Sequence, residues 1–514
     1  MKPIRLISGV LTVGFWTLMS RFLGILREVM ILAFIGPGPV MDAFVAAFRL
    51  PNMFRRFFAE GAFNASFVPM FSKRLQTDDS PVEFATQALS GLAFVLLILS
   101  AVAMIFMPGL VWLTAGGFAG DVRFGLTVDY GRIVFPYILL MSLTALFSGV
   151  LNATGRFAAA AAAPVFLNIF VCISMAWAAY TGGEVIRWLV WTVPVAGVAQ
   201  LALVWVATDR AGIRLRPSRP SWTPEMKRLV IVAIPAALAG GVMQINLLVG
   251  QQVASHFDKA VGWLYAADRL YQLPLGVVGI AVGIVLLPDL SRRLSVQDDK
   301  GAKHAFSRAG ELSLALTIPA AVALVVIPLP LVSVLFERGA TGADDSAAIA
   351  VAVAIYGLGL PAFVLQKVLQ PLFFAREDTK SPFRYAVWAM VVNAAVAIGL
   401  APLIGWIAPA IATTLAGWVM VGMLALGGRR LGDVARFDDR FRRRIWRVCL
   451  ASAAMGGVLW GATLLLGPFL AMAGVRFAAL LVLIALGLVS YAVVGQLIGA
   501  FALREFRDAF RRRR

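Results

Sequence analysis

The sequence predicts an all-α polytopic membrane protein, and its composition and the pattern of its apolar residues support this. The chain has 514 residues, of which 60% are hydrophobic and only 14% are charged. A typical soluble chain is about half apolar and about a quarter charged, so this chain falls outside that class. Its apolar residues form long continuous runs, whereas the strands of an outer-membrane barrel alternate apolar with polar residues. The composition also excludes a disordered or disulfide-rich chain.

Apolar segments long enough to cross a bilayer, which takes about 20 residues, number about fourteen. The predicted segments are, in order, 6–35, 40–72, 84–108, 126–151, 158–181, 185–207, 226–254, 260–289, 305–330, 346–374, 384–401, 404–427, 445–467 and 475–501. The first is too long for the core of a signal peptide and contains Arg21 and Arg27, so we interpret it as an uncleaved helix. Pro51 is expected to interrupt the second segment, and Pro274 the eighth.

The distribution of basic residues predicts the orientation. An even number of spans places both termini on one side, and the side richer in Lys and Arg faces the cytoplasm. With cytoplasmic termini, the large basic groups lie inside: Arg210 to Arg228, Arg292 to Arg308, Arg429 to Arg447 and Arg504 to Arg514. Only six basic residues then fall on the far side: Arg123, Arg132, Arg187, Lys259, Arg338 and Arg476. The net charge of +19 is therefore better explained by basic residues at the cytoplasmic face, next to anionic lipid, than by nucleic-acid binding.

The chain contains a diverged internal duplication, in which similar residues recur in the same order at separations of 219 to 225 residues. The matched positions are Ala47–Leu50 with Ala267–Leu270, Pro69–Leu75 with Pro288–Leu294, Pro108 with Pro328, Pro136 with Pro361, Thr154 with Thr379, and Asn168 with Asn393. A repeat of six helices runs in the same direction twice, which predicts two six-helix lobes related by a parallel pseudo-two-fold axis. Transporters use such repeats for alternating access.

The duplication predicts three parts of the chain. Residues 1–220 form the first lobe with helices 1–6, and residues 221–430 form the second lobe with helices 7–12. Residues 431–514 contribute helices 13 and 14, which lie outside the repeat, and a basic cytoplasmic tail.

A surplus of positive charge lies within the predicted helices. The basic residues there are Arg21, Arg27, Arg49, Arg55, Arg56, Arg269 and Lys367. The acids near them are Glu28, Asp42, Glu60 and Asp268. A charge at the bilayer centre costs at least about 2.5–3.5 kcal/mol, so these side chains should face the protein interior or a wet cavity. Because the acids are fewer, an anionic ligand is the simplest missing partner, and the planar guanidinium of arginine suits phosphate oxygens.

Several of these cations have an equally good structural explanation. Arg49 and Arg56 could cap a helix or snorkel to the interface, as could Lys367. Arg269 occupies the repeat position of Arg49, which would place cations on both lobes. Asn52 and Gln272 add polar groups nearby. The residues that favour ligand binding are Arg21, Arg27, Arg55 and Arg269.

Signatures of an enzyme or a metal centre are poor. The two cysteines, Cys172 and Cys449, lie far apart in apolar runs, and the two histidines, His256 and His304, lie in polar segments. The acid pairs lie in polar connections, where solvated loop acids are more common than the metal-binding pair of a glycosyltransferase. No phosphate-binding Walker sequence occurs. We therefore expect a transporter, with no catalytic residue, metal or cofactor.

Four runs of the sequence resemble the MurJ/MviN family of the multidrug/oligosaccharidyl-lipid/polysaccharide exporter superfamily. They are Ser20–Glu28 (SRFLGILRE), Met41–Phe44 (MDAF), Phe48–Phe63 (FRLPNMFRRFFAEGAF) and Tyr265–Leu270 (YAADRL). The resemblance extends over essentially the whole chain in helix number and order. It implies a lipid II flippase, which moves the undecaprenyl-diphosphate-linked peptidoglycan precursor from the inner to the outer leaflet of the bacterial cytoplasmic membrane, for cell-wall synthesis.

The resemblance also implies roles for particular residues. Arg27, Arg55 and Arg269 would bind the diphosphate–sugar head group, with Arg21 as a further essential cation. It implies a functional acid at Asp42 and gating or counter-ion roles for two further acids, Glu28 and Glu60. Helices 13 and 14 would form a hydrophobic groove for the polyprenyl tail.

The chain departs from the family pattern at two places. Some members carry an acid where this chain has Gln272, which places a coupling role there in doubt. Some members bind sodium through carboxylates in the second lobe, where this chain offers Asn246, Asn393 and Thr413 but has Ala397 at an expected carboxylate position. The sequence therefore favours the membrane potential over sodium as the driving force.

Two other transport functions remain as alternatives. One is a flippase for another polyprenyl-diphosphate-linked polysaccharide, which only the family motifs separate from lipid II. The other is a multidrug exporter of the same superfamily, although a site for cationic drugs should carry acids rather than surplus arginine. Protein partners cannot be identified from the sequence.

Overall fold

The computed structural model describes residues 3–55, 62–77 and 79–501, with the backbone alone at 3–11, 55, 62–65, 234–245 and 277–285. Helices are the only regular secondary structure within these residues, which confirms the predicted all-α class. The helices are α1 (Pro3–Phe34), α2 (Pro39–Arg55), α3 (Ala62–Thr77), α4 (Pro81–Ile105), α5 (Met107–Ala115), α6 (Val122–Val134), α7 (Tyr137–Ala153), α8 (Ala158–Thr181), α9 (Val185–Arg210), α10 (Pro224–Ala254), α11 (Ala260–Ser295), α12 (Asp299–Val326), α13 (Pro328–Phe336), α14 (Ala343–Phe374), α15 (Lys380–Ile404), α16 (Ala408–Gly428), α17 (Asp439–Ala471) and α18 (Arg476–Leu497).

Helices break where a proline begins the next helix. Phe106 (φ −91°, ψ 17°) separates α4 from α5, and Ile327 (φ −121°, ψ 40°) separates α12 from α13. Pro108 and Pro328 follow within the first two positions of α5 and α13, where a missing N–H costs nothing because the first turn has no internal acceptor for it. These two prolines are a matched pair in the proposed duplication, and each lies in the first two residues of a helix of nine residues.

Pro51 and Pro274 behave differently from what the sequence predicts. Each lies inside a helix, α2 and α11 respectively, and the helix continues on both sides of it. The prediction that they interrupt their segments is wrong. An internal proline removes one backbone hydrogen bond but keeps a helical φ, and neighbouring groups in a membrane bundle compensate for the lost bond.

Length and hydropathy fit a chain that crosses the membrane several times. Nine helical segments of the described residues are long and apolar enough to do so. Large apolar side chains are strongly exposed, among them Leu465 and Leu497, each 79% exposed. A soluble monomer rarely exposes wide apolar surfaces, so these side chains fit contact with lipid tails. The multi-pass membrane class is confirmed, whereas the count of about fourteen spans and the duplication stay predictions.

The chain divides into two compact units. The first comprises the described residues up to Gly262 together with the short loop Arg338–Thr341, and the second comprises the remaining described residues. The first unit therefore includes α10, which the duplication assigns to the second lobe. The predicted division at residues 220 and 430 follows internal sequence similarity rather than compactness, and it stays a prediction.

The first unit has an aromatic core between α3, α4 and α7. Phe67 stacks on Phe71 at 5.6 Å and on Phe84 at 5.7 Å between ring centroids, and all three side chains are buried. Phe147 of α7 joins the same cluster. Close packing of these rings, rather than their removal from water, holds the three helices together, because lipid tails are as apolar as the rings.

In the second unit, ion pairs join α12 to the start of α17. Glu311 accepts hydrogen bonds from Arg308 and, at 2.5 Å, from Arg444. Asp438, the N-cap of α17, accepts from Arg308 at 2.5 Å and from the Phe441 N–H at 2.7 Å. Partial burial would raise the pKa of Asp438, but the hydrogen bonds from Phe441 and Arg308 outweigh it and hold that pKa below its ordinary value. Charge pairing thus attaches α17, which lies outside the duplication, to the second unit.

Candidate substrate-binding and gating residues

Arg27 lies on α1, which packs against α8. Its Nη1 donates to the Asn168 Oδ1 at 2.9 Å, and its Nη2 donates to the Glu28 Oε1 at 2.5 Å. Asn168 in turn donates from Nδ2 to the backbone oxygen of Ser20 at 3.0 Å. The amide of Asn168 is therefore fixed at both ends and orients the guanidinium of Arg27.

The environment of this pair is largely dry. The side chain of Arg27 is 18% exposed and that of Glu28 is 7% exposed. An ion pair in such surroundings persists only where hydrogen bonds compensate for lost hydration, and Asn168 supplies one. The predicted ligand Arg27 and the predicted counter-ion Glu28 are thus brought together, and Glu28 occupies a position at which an anion would compete for Arg27. The role of Asn168 was missed, because the sequence marked it only as a repeat position.

Arg21 lies farther toward the N-terminus on the same helix and is partly exposed. Its side chain makes no hydrogen bond or ion pair with the residues that the structure describes.

Asp42, at the start of α2, is fully buried and belongs to a second cluster. Its Oδ1 accepts from the backbone N–H of Gly262 at 2.8 Å, and its Oδ2 lies 3.6 Å from the Arg123 Nη1. Arg123 is itself only 5% exposed. It pairs with Asp121 at 2.5 Å and with Asp258 at 3.3 Å. One buried guanidinium therefore serves three carboxylates that belong to three separate segments of the chain.

Backbone contacts extend this cluster. The Arg123 Nη1 donates to the backbone oxygen of Phe257 at 3.3 Å, and its guanidinium lies 4.6 Å from the ring centroid of Phe118. We call the contacts of Asp42 and Arg123 with Asp121, Asp258 and Gly262 the far-side clasp, since the predicted topology places Arg123 on the far side of the membrane. The sequence missed the importance of Arg123, because it was counted as a solvated loop charge.

Two glycines support the clasp by allowing close backbone approach. The N–H of Gly116 donates to the Gln252 side chain at 2.7 Å, and that of Gly117 donates to the Ser255 hydroxyl at 3.0 Å. A Cβ at Gly117 would lie 2.4 Å from the backbone nitrogen of His256. Only glycine fits there, so the turn after α5 sits directly against the loop between α10 and α11.

The loop Arg338–Thr341 packs against the end of α1 within the same unit. The N–H of Ala340 donates to the Ala33 oxygen at 2.8 Å, and the Thr341 hydroxyl donates to the Leu32 oxygen at 2.7 Å. These contacts satisfy carbonyls in the last turn of α1, which lack N–H donors inside the helix. A Cβ at Gly339 would lie 2.1 Å from the Ala33 oxygen, and its φ of +58° also favours glycine.

In the second unit, Arg269 lies on α11 with its guanidinium 4.5 Å from the ring centroid of Tyr265. Gln272 donates a hydrogen bond to Asp268, one helical turn before it. Asp268 is thus held by the amide of Gln272. Lys367 on α14 is exposed and has no ion-pair partner among the described residues.

Four other candidates lie between positions 52 and 60 of the sequence. Asn52 donates to the backbone oxygen of Phe48 at 2.9 Å, which occupies its amide within α2. Arg55 is the last residue of α2 and its side chain is not described, while Arg56 and Glu60 lie outside the described residues. The predicted roles of Arg55 and Glu60 stay predictions.

The region considered for sodium shows buried polar groups. Asn393 is 1% exposed, and the Thr413 hydroxyl donates to the Pro409 oxygen at 2.8 Å in its own helix. Ala397 is fully buried. The described residues contain no group of three or more His, Cys, Asp or Glu side chains that could hold a metal ion. The driving force stays a prediction.

Comparison with known proteins identifies the family. The family model described as "Lipid II flippase MurJ" matches residues 31–475. The chain belongs to the MurJ family. A probable lipid II flippase MurJ of Rhizobium tropici is 45% identical over 524 aligned residues, which cover 99% of this chain and 98% of that protein. MurJ proteins form a family of transporters, not enzymes.

Solved structures agree with this assignment at the level of the fold. A structure titled lipid II flippase MurJ, inward closed conformation, superposes with a TM-score of 0.79 at 23% identity and covers 97% of this chain and 99% of that chain. An inward-facing multidrug resistance MATE family transporter of the MOP superfamily gives a TM-score of 0.68 at 15% identity, covering 81% of this chain and 95% of that chain. The predicted relation to the wider exporter superfamily is confirmed as a relation of fold.

Proposed function

We propose that this chain is a lipid II flippase, which moves the undecaprenyl-diphosphate-linked peptidoglycan precursor from the cytoplasmic to the periplasmic leaflet by alternating access. The observation that carries the proposal is the 45% identity to a probable lipid II flippase MurJ over nearly the full length of both chains. The partly buried and oriented Arg27 supports it independently, because a diphosphate is a ligand that such a guanidinium suits.

Arg21, Arg27, Arg55 and Arg269 bind the diphosphate–sugar head in this proposal. Arg27 is held by Asn168 in a fixed orientation, so little rotamer freedom is lost when phosphate binds. Phosphate replaces Glu28 on Arg27, and the return of Glu28 releases it. A ligand shifts a two-state equilibrium only by binding the states differently, and this exchange provides the difference. Glu60 has a similar counter-ion role.

The far-side clasp closes the periplasmic end while the head group binds. Asp42 and Arg123 hold the segments that follow α5 and α10 against the start of α2. Release of substrate on that side requires these contacts to break. The proposed orientation has both termini in the cytoplasm, which places the clasp in the periplasmic half.

The membrane potential drives the cycle in this proposal. Movement of one elementary charge through the membrane field is worth about 2.3 kcal/mol per 100 mV, and the cations on α1 and α11 supply such charge. The polyprenyl tail lies along α17 and α18, the helices outside the duplication.

Replacement of the native flippase tests the proposal. In cells depleted of every other lipid II flippase, the chain should restore lipid II at the outer leaflet, as measured by access to an enzyme added from outside. Arg269→Ala should abolish this activity while the protein still inserts into the membrane. The matched control Arg132→Gln, on an exposed arginine whose side chain donates to the Met104 backbone oxygen, should retain activity.

Two results would refute the proposal. One is an outer-leaflet lipid II level no higher than in depleted cells without the chain. The other is full complementation by Arg269→Ala. Export of a different polyprenyl-diphosphate-linked sugar in the same cells would favour the polysaccharide alternative.

A further inference from the structure

A large groove lies in the first unit, away from the candidate residues on α1. Its volume is about 1190 Å³, and it is bounded by the end of α7, the turn 154–157, α8 and α9. Thr12 is the residue of α1 that reaches it. Thr12 and Arg27 are separated by about 22 Å along the helix at about 1.5 Å per residue. The groove is therefore distinct from the proposed diphosphate site.

The walls of the groove are shaped for an alkyl chain. Small side chains line its length, including Ala158 and Ala159 on α8 and Ala199, Ala202 and Ala207 on α9. Larger apolar groups, Phe166 and Leu203, stand beside them. An acyl chain that occupies this groove gains dispersion contacts with these side chains.

Two arginines stand at the groove, Arg156 in the turn after α7 and Arg210 in the last turn of α9. Both are exposed, and the side chain of neither forms a hydrogen bond or ion pair with the described residues. The adjacent acid, Asp209, instead pairs with Arg216 at 3.1 Å. Other basic residues at the same predicted membrane face, such as Arg292, do pair with acids. The groove thus combines an apolar lining with two guanidinium groups that have no counter-ion among the described residues.

We propose that this groove binds an acidic glycerophospholipid, with the phosphate on Arg156 and Arg210 and an acyl chain between α8 and α9. Basic pockets between membrane helices attract lipids that carry negative charge, and arginine pairs with phosphate through two parallel hydrogen bonds. Thr154 also lines the groove. A zwitterionic lipid has the same chains but no net charge, so the arginines distinguish the two.

The test is native mass spectrometry of the purified full chain titrated with phosphatidylglycerol or phosphatidylcholine. The wild type should retain phosphatidylglycerol in preference to phosphatidylcholine. Arg156→Ala/Arg210→Ala should lower phosphatidylglycerol binding by about 30-fold without lowering lipid II binding. The matched control Arg292→Ala/Lys300→Ala removes two exposed charges at the same predicted face and should leave phosphatidylglycerol binding unchanged.

A second variant keeps the test decisive if the arginine variant fails to fold. Ala202→Trp fills the groove while both arginines remain, and it should also lower phosphatidylglycerol binding. Equal binding of the two lipids to the wild type overturns the proposal, as does an equal loss in the control. Loss of lipid II binding with retained phosphatidylglycerol binding would show that the groove serves the substrate, which also overturns it. Failure of lipid II transport would leave this binding result unaffected.

Discussion

Substitution of Arg123 by Gln removes the cation at the centre of the far-side clasp. Asp42 is then left fully buried with the Gly262 N–H as its remaining clasp contact, since its 3.6 Å ion pair is lost. Removal of one partner from a buried pair costs about 3–5 kcal/mol. The side chains of Asp121 and Asp258 are 35% and 93% exposed, so they regain water and contribute little. We therefore expect the lower end of that range, about 3 kcal/mol.

This energy predicts a shift in the population of the closed clasp. At about 1.4 kcal/mol per factor of ten, the open form gains about 100-fold. A cysteine in place of Ala260, which is fully buried at the start of α11, reports on that population when Cys172 and Cys449 are replaced by Ser. The rate at which a maleimide labels this cysteine in the purified protein should rise about 100-fold in Arg123→Gln.

The controls separate the clasp from general destabilisation. Arg132→Gln removes an exposed arginine of the same helix and should leave the labelling rate unchanged. Asp42→Asn combined with Arg123→Gln should label more slowly than Arg123→Gln alone, because no charge is then left buried without its partner. A change below about threefold in Arg123→Gln, less than 1 kcal/mol by the same conversion, would refute the reasoning.

Three further predictions concern packing and charge, and each is checked by thermal melting of the purified protein. Gly117→Ala should lower the melting temperature and open the far-side clasp, because its Cβ would meet the His256 backbone nitrogen at 2.4 Å. The control Gly91→Ala, in open space within α4, should leave the melting temperature unchanged or raise it. Equal melting temperatures of the two variants would contradict the packing argument. Glu311→Gln should destabilise the second unit by about 2 kcal/mol, because it weakens the pairing between α12 and α17 at a largely buried acid; unchanged melting would show that these ion pairs are not what holds α17. Because the pKa of Asp438 is lowered, its contribution to stability is present above the ordinary Asp pKa of about 3.9 and is lost as the pH falls below that value. The difference in melting temperature between wild type and Asp438→Asn should therefore be constant from about pH 7 to 5 and shrink below about pH 4. A difference that grows on acidification would show that the sign of this contribution is wrong.

Much of the fold could be predicted because membrane helices are determined by local composition. The segment predicted at 158–181 coincides with α8, Ala158–Thr181. Helix breaks were predicted less well: Pro51 and Pro274 do not end their helices, while Phe106 and Ile327 do. Whether a proline breaks a helix depends on the packing around it, which the sequence does not display.

The sequence could single out some residues of the candidate site but not others. Arg27 could be singled out because a charge within an apolar run is expensive wherever it lies. Arg123 could not, since it precedes its apolar run and looks like a solvated loop charge. Its burial arises from tertiary contacts with Asp42 and Asp258, residues that lie 81 or more positions away in the chain. Asn168 was missed for the same reason, because only the packing of α1 on α8 brings it to Arg27.

Translocation of lipid II by the purified chain tests the central claim most directly. The chain is reconstituted into vesicles that carry lipid II in the inner leaflet, and an enzyme that modifies lipid II is added outside with a membrane potential applied. We predict that lipid II becomes accessible with the wild type and with Arg132→Gln, but stays protected with Arg27→Ala. Two results would contradict the account. One is that lipid II in vesicles with the folded wild type stays as protected as in protein-free vesicles, and the other is that lipid II becomes fully accessible with Arg27→Ala.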